Sequence, residues 1–206
     1  VSTMAKKHVS VCLSGDGGDE LFAEYKRYQA IPDIWNKLRY VPCKSLLKMV
    51  IGKMPADSLE TMLFFLKSHS KRFSRQGSLG PKIKRLGEWL DAQSFDELYA
   101  LSMKHWQDAA NVVIGGGSSH IWYLENKCLS SPIEKMMYRD SLSYLPGDIL
   151  TKVDRSTMAC GLEGRIPFLD TEVVEVAWRM PISIRANGLG GKWALKQVLY
   201  RYLPKE

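Results

Sequence analysis

The chain has 206 residues, 45% hydrophobic, 25% charged and 10% aromatic, which excludes a disordered, collagenous or disulfide-knot protein. That length predicts one domain or a compact pair, and the longest apolar run, residues 59–66, is far short of the ~18–20 residues that cross a bilayer. The net charge of +7 has one source, because residues 61–87 carry seven basic side chains and no acid, while the remaining 22 Lys and Arg balance 22 Asp and Glu.

Residues 1–7 lack the apolar stretch of a signal peptide, so a soluble, cytoplasmic chain with no membrane partner is expected. The chain begins at Val1 rather than at methionine and stops at Leu203-Pro204-Lys205-Glu206, as a processed product or a piece of something longer would. Residues 8–13 alternate β-branched and polar side chains and predict a short strand. They run into Ser14-Gly15-Asp16-Gly17-Gly18-Asp19-Glu20, whose glycines and short acids suit a tight turn. Leu21, Phe22, Tyr25 and Tyr28 then follow the spacing of one helix face. Strand, glycine turn and helix in that order are the local grammar of an α/β nucleotide site.

The middle of the chain reads as helix. Asp57 with Glu60, and Ser94 with Glu97, fit the capping box. Residues 74–81 between them form the best loop or hinge candidate. The basic stretch reads as a solvated helix end or linker, with a docking surface for anions as the alternative. A protein that tracks nucleic acid would spread such charge widely, so no nucleic-acid partner is expected. Residues 112–119 contain Gly115-Gly116-Gly117 but lack the spacing of a phosphate or dinucleotide loop, and read as a connection.

A helix is predicted over residues 133–145, ended by Pro146-Gly147. Asp170 is placed to cap a helix carrying Val173, Val174, Ala177 and Trp178, which Pro181 closes. A last helix shows Leu195, Val198, Leu199 and Tyr202 and stops before Pro204. Cys12, Cys43, Cys128 and Cys160 show no paired spacing and are expected as reduced, mostly buried thiols. The four histidines are equally scattered, so neither a histidine metal site nor histidine catalysis is inferred. There is no internal repeat.

Two stretches carry chemistry. In the first, the turn sets backbone N–H groups at a helix start, which favours an anion. Asp16 and Asp19 would repel a bare phosphate unless a hard divalent cation lay between, so the pair suggests Mg²⁺-ATP. An acidic helix start that merely complements the dipole is the alternative. In the second, Lys152, Asp154, Arg155, Glu163 and Arg165 crowd a short span. Alternating charges there could be a surface helix with ion pairs. Glu163 and Arg165 sit in an apolar, proline-containing turn where each charge needs a partner, and they read best as a structural ion pair.

Together the residues are recognisable. Residues 13–25, Leu-Ser-Gly-Asp-Gly-Gly-Asp-Glu-Leu-Phe-Ala-Glu-Tyr, and 152–170, Lys-Val-Asp-Arg-Ser-Thr-Met-Ala-Cys-Gly-Leu-Glu-Gly-Arg-Ile-Pro-Phe-Leu-Asp, closely resemble two motifs of the synthetase domain of glutamine-dependent asparagine synthetases. Their order and separation fit, as does the terminal Lys192-Trp-Ala-Leu-Lys-Gln-Val-Leu followed by Leu203-Pro204. The resemblance spans essentially the whole chain, the middle third only as a helical pattern. It implies an α/β fold of the adenine nucleotide α-hydrolase-like (ATP-pyrophosphatase) type, of which this segment is a mostly α-helical fragment. Residues 1–30 would hold the ATP loop, 31–130 a helical region, and 131–206 the second motif with the last helices.

The resemblance also implies a reaction in the full-length protein. Aspartate's side-chain carboxylate attacks the α-phosphate of ATP, giving β-aspartyl-AMP and pyrophosphate, and ammonia from glutamine displaces AMP to form asparagine. Ser14, Gly15 and Gly17 would contact ATP, Asp19 would bind Mg²⁺, and Asp16 would lie near the adenylate. Asp154, Arg155, Glu163 and Arg165 would shape the substrate pocket, and Lys192 would contact phosphate or carboxylate. A homodimer of the full-length protein fits the same picture. The departures matter as much: the chain has no Ser-Gly-Gly-x-Asp-Ser loop, no N-terminal Cys-Gly nucleophile and no terminal Arg-x-Lys-x-Gly-Phe segment. It reads as the middle of a synthetase domain, expected to be inactive by itself. An amidotransferase acting on another carboxylate, and a non-catalytic anion-binding module, are the alternatives.

Overall fold

The computed structural model describes residues 1–55, 58, 85–104, 114, 128–186 and 192–204. The chain divides into two units: Val1–Pro32 with Leu124–Glu206, and Asp33–Tyr123. The described part is mostly helical with one small parallel sheet.

The first unit opens with helix α1, Ser2–Lys6, and strand β1, Val11–Leu13. The strand is shorter than the alternation predicts, because the amides of His8 and Val9 still bond to Ala5 and belong to the last turn of α1. β1 pairs in parallel with β2, Glu163–Arg165, in the register Val11 to Glu163, Cys12 to Gly164 and Leu13 to Arg165. Sequence periodicity cannot show this pairing. It joins the two chemically loaded stretches directly.

A single helix from residue 21 is not what forms. Helix α2 is Gly18–Leu21 and helix α3 is Lys26–Leu38, with Ala23 between them in the left-handed region at φ 54°. The break separates side chains that a straight helix would keep on one face. Leu21 and Phe22 enter a core with Ala177, while Tyr28 is buried beside Asp140. The apolar spacing reported burial, and burial is divided between two clusters.

Helix α5, Phe95–Met103, lies in the second unit, and helix α6, Pro132–Leu142, resumes the first with proline in its opening turn, where the missing N–H is harmless. Pro146-Gly147 does not end helical structure as expected. The chain leaves α6 at Leu142 and starts a π-helical stretch, Leu145–Leu150, in which Pro146 again occupies the first turn. This continues as helix α7, Thr151–Met158. Gly161, at φ 67°, closes α7: its amide bonds to Met158 and the amide of Leu162 bonds to Thr157 at 3.0 Å. That turn aims the chain into β2.

A 3₁₀ turn, Pro167–Leu169, leads to helix α8, Thr171–Arg179, whose first turn is capped by Asp170 accepting from Glu172 N at 2.9 Å. Helices α9, Ile182–Arg185, and α10, Trp193–Leu199, follow; the predicted cap is where the sequence put it, while the last helix ends at Leu199, with Tyr202 in the turn beyond it. Phe168, Val174, Trp178, Met180, Ala194 and Leu195 pack around Leu21, Phe22 and Ala177. The core therefore lies under the loop that precedes α2.

In the second unit, helix α4, Lys44–Lys53, helical residues 85–89 and helix α5, Phe95–Met103, are described. Ser94 accepts from Glu97 N at 3.1 Å, while the Glu97 carboxylate reaches back to Gln93 N at 2.8 Å, one residue earlier than in the usual reciprocal box. The Asp57 and Glu60 box, the loop at 74–81, most of the basic stretch and all but Ile114 of the glycine cluster lie outside the described residues. The cysteines correct the sequence reading: none is buried, Cys12 and Cys160 being half-buried and Cys43 and Cys128 exposed.

Candidate functional site

The site begins where β1 ends. Ser14 N bonds to Arg165 O at 2.8 Å, one further rung on the parallel ladder, so the glycine loop springs from the strand pair. The Ser14 hydroxyl donates to the Asp16 carboxylate, which ties the loop across its first turn. Gly18 N reaches Gly15 O at 3.4 Å. A Cβ on Gly15 would meet nothing within 4 Å, so that face of the loop is open.

Gly17 is the opposite case. Its φ is 83°, and a Cβ there would lie 2.7 Å from Leu169 Cδ2. The loop thus rests on Leu169, and through Gly18 on Phe168. Gly17→Ala is expected to destabilise the fold by about 1–2 kcal/mol, from left-handed strain and a displaced leucine. A urea midpoint unchanged from the native protein would show that the loop is not held this way.

Asp19 stands in the first turn of α2, and its Oδ1 lies 2.5 Å from Lys192 Nζ, with Glu24 Oε2 4.0 Å from the same nitrogen. Lys192 adopts φ 57° just ahead of α10, a conformation that costs a non-glycine residue about 1–2 kcal/mol. The fold spends that energy to present the ammonium to the loop. Both partners are about one third exposed and remain open to an incoming group. Glu20, next in the chain, is 1% exposed and accepts from the Tyr25 hydroxyl at 2.7 Å. Burial raises the Glu20 carboxyl above its ordinary value, opposed by that hydrogen bond, and burial with the neighbouring Glu20 raises the Tyr25 phenol.

The structure brings Ser14, Gly15, Asp16, Gly17, Asp19 and Lys192 into one place. It sets Glu163 and Arg165 beside it on β2, paired to each other at 2.8 Å with both side chains exposed. The pairing is as read from sequence, but the pair is not in an apolar turn, and an exposed pair contributes about 0–1 kcal/mol. Asp154 and Arg155 are not brought in: they pair at 3.7 Å on the exposed face of α7. Besides the Arg165 carbonyl, the second motif touches the loop through the side chains of Phe168 and Leu169, which sequence reasoning passed over as plain apolar residues. Glu24 was also missed, and only the break after α2 turns it towards Lys192.

Among the described residues, no group of three or more His, Cys, Asp or Glu side chains is arranged to hold a metal ion. Asp19 nevertheless suits a divalent cation that arrives with phosphate, since Mg²⁺ in such sites takes one or two carboxylates and completes its shell with phosphate oxygens and water. Lys192 would then meet the same phosphate as a point charge. No described helix is long and apolar enough to cross a membrane.

The family model for asparagine synthase matches residues 1–206. A putative glutamine-hydrolysing asparagine synthetase of Mycobacterium tuberculosis (strain H37Rv) is 32% identical over 209 residues, covering 99% of this chain and 29% of its own length. A glutamine-hydrolysing asparagine synthetase 1 of Bacillus subtilis is 31% identical over 208 residues, covering 100% of this chain and 30% of its own. The chain thus spans about three tenths of the length of these relatives. No solved structure matches it.

Proposed function

The chain belongs to the asparagine synthase family, and from that premise we propose that the whole protein makes asparagine from aspartate, ATP and ammonia released from glutamine. The reading assigns the activity to the whole protein rather than to these 206 residues alone, which we read as part of a synthetase domain of the adenine nucleotide α-hydrolase-like type. One observation carries it: Asp19 and Lys192, 2.5 Å apart, face the head of a glycine loop whose Gly15 side is open.

In this reading the loop amides and the start of α2 receive the phosphates of ATP. An oxygen of aspartate's side-chain carboxylate attacks the α-phosphorus, and the bond from phosphorus to pyrophosphate breaks. The nitrogen of ammonia then adds to the acyl carbon, AMP leaves with the bonding electrons, and the adduct loses a proton. Asp19 would hold Mg²⁺, whose chemistry there would be to neutralise charge on the departing pyrophosphate. Lys192 would serve the same charge, and Asp16, fixed by Ser14, would orient the loop near the adenylate. Asp154, Arg155, Glu163 and Arg165 bear on the acceptor less directly, since all four are exposed.

The test is Mg²⁺-dependent exchange of pyrophosphate into ATP by the full-length protein, with and without aspartate. Exchange that requires aspartate supports the proposal. Exchange that requires another acid keeps the adenylation and replaces the substrate. No exchange with any acid in a folded protein overturns the catalytic reading and leaves an anion-binding module.

A further inference from the structure

Behind the loop lies a cluster of polar and aromatic groups that the reaction does not use. Asp140 of α6 is 1% exposed, and its Oδ2 accepts three bonds: from Arg27 Nη2 at 2.7 Å, Arg27 Nε at 3.2 Å and the Tyr28 hydroxyl at 2.6 Å. The Arg27 guanidinium so anchored lies 3.8 Å from the centre of the Tyr25 ring and 4.7 Å from that of Tyr144. Tyr25 in turn stands edge-on to Tyr28 and to Tyr144, with ring centres 5.5 and 6.0 Å away. Its hydroxyl closes on Glu20, the neighbour of Asp19. An unbroken series of contacts therefore leads from α6 to α2, and the two helices also pack directly.

The segment it spans needs such support. Between α2 and α3 the backbone passes through Ala23 at φ 54°, a strained conformation that persists only where its surroundings hold it. α2 is a single turn and cannot hold itself. Its last amides, Leu21 N to Gly17 O at 3.1 Å and Phe22 N to Gly18 O at 3.0 Å, report directly on whether the loop is closed.

We infer that Asp140 is a positioning residue for the glycine loop, holding Arg27 over Tyr25 so that Tyr25 fixes Glu20 and, with it, the placement of Asp19. Without the Asp140 charge the guanidinium loses the buried carboxylate that accepts from both its Nε and its Nη2, and the cation over the Tyr25 ring is held less firmly. Only the consequence for ATP rests on the function proposed above; the consequence for the loop does not.

The test uses the full-length protein with Asp140→Asn, which keeps volume and one acceptor oxygen, and Tyr25→Phe, which removes only the hydroxyl. Leu98→Ala, in the core of the second unit, serves as a control for general destabilisation. Amide exchange at Leu21 and Phe22 should quicken about tenfold in both variants, with Val174 in α8 unchanged. The KM for ATP should rise about tenfold with the KM for the acid constant, and Leu98→Ala should do neither. Exchange at Leu21 and Phe22 within twofold of the native rate, or quickened equally at Val174, would overturn the inference. If the native protein uses no ATP, the proposed function falls while the exchange rates still decide the role of Asp140.

Discussion

Asp19→Asn in the full-length protein should lower Mg²⁺-dependent ATP–pyrophosphate exchange by about 100- to 1000-fold, the scale on which a group serving developing phosphate charge acts. Asparagine keeps the shape of the side chain and its place in the first turn of α2, so the fold should survive the change. What is lost is the one carboxylate set against Lys192 at 2.5 Å. The ammonium then meets the nucleotide with only the more distant Glu24, at 4.0 Å, of the two carboxylates described beside it, and binding of ATP without metal should hold or tighten while turnover collapses. That division is the informative part. Exchange within threefold of the native rate would show that Asp19 does not bind the cation. Loss of metal-free ATP binding in step with turnover would instead mean that the substitution disordered the loop.

The second large effect concerns stability. Glu134→Ala should cost about 3–5 kcal/mol, read as a fall in the urea midpoint. Arg185 of α9 has a side chain 0% exposed, and its Nη2 donates to Glu134 Oε1 at 2.6 Å across to α6. Its Nε donates to Met180 O at 3.1 Å, its Nη1 has no hydrogen-bond partner among the described residues, and the Trp178 ring centre lies 4.9 Å away. Burial lowers the Arg185 pKa against the pull of Glu134, yet a guanidinium stays charged. Removing the acid strands that cation in the core. Replacing both partners, Glu134→Leu with Arg185→Met, should recover most of the loss, because the desolvation penalty goes with the charges. A cost for Glu134→Ala under about 1 kcal/mol would mean that water reaches Arg185.

The local features were legible because they are written in neighbouring residues. Asp170 caps α8 and Ser94 caps α5 through side chains that bond within three residues of themselves. The glycine turn after β1 and the charged run of 152–165 likewise stand out in the sequence alone. Errors arose wherever one pattern served two structural ends. Leu21, Phe22, Tyr25 and Tyr28 share helical spacing but divide between the Ala177 core and the Asp140 cluster, so one predicted helix became two. Pro146 looked like a terminator, and a proline in the first turn of a helix starts one just as well.

By itself the sequence determined the family, the glycine-and-acid loop that follows a strand, and which residues carry charge near it. Those are properties of contiguous motifs, and contiguity is what a sequence records. Only the tertiary structure decided that Lys192 closes on Asp19, that Leu169 props Gly17, that Glu163 and Arg165 lie on the strand paired with β1, and that Asp140 anchors Arg27 and Tyr28. Lys192 with Asp19, Leu169 with Gly17, β2 with β1, and Asp140 with Arg27 each join residues far apart in the chain. Their meeting depends on the β1–β2 register and on the packing of α2, α6 and α10, and no local spacing encodes either.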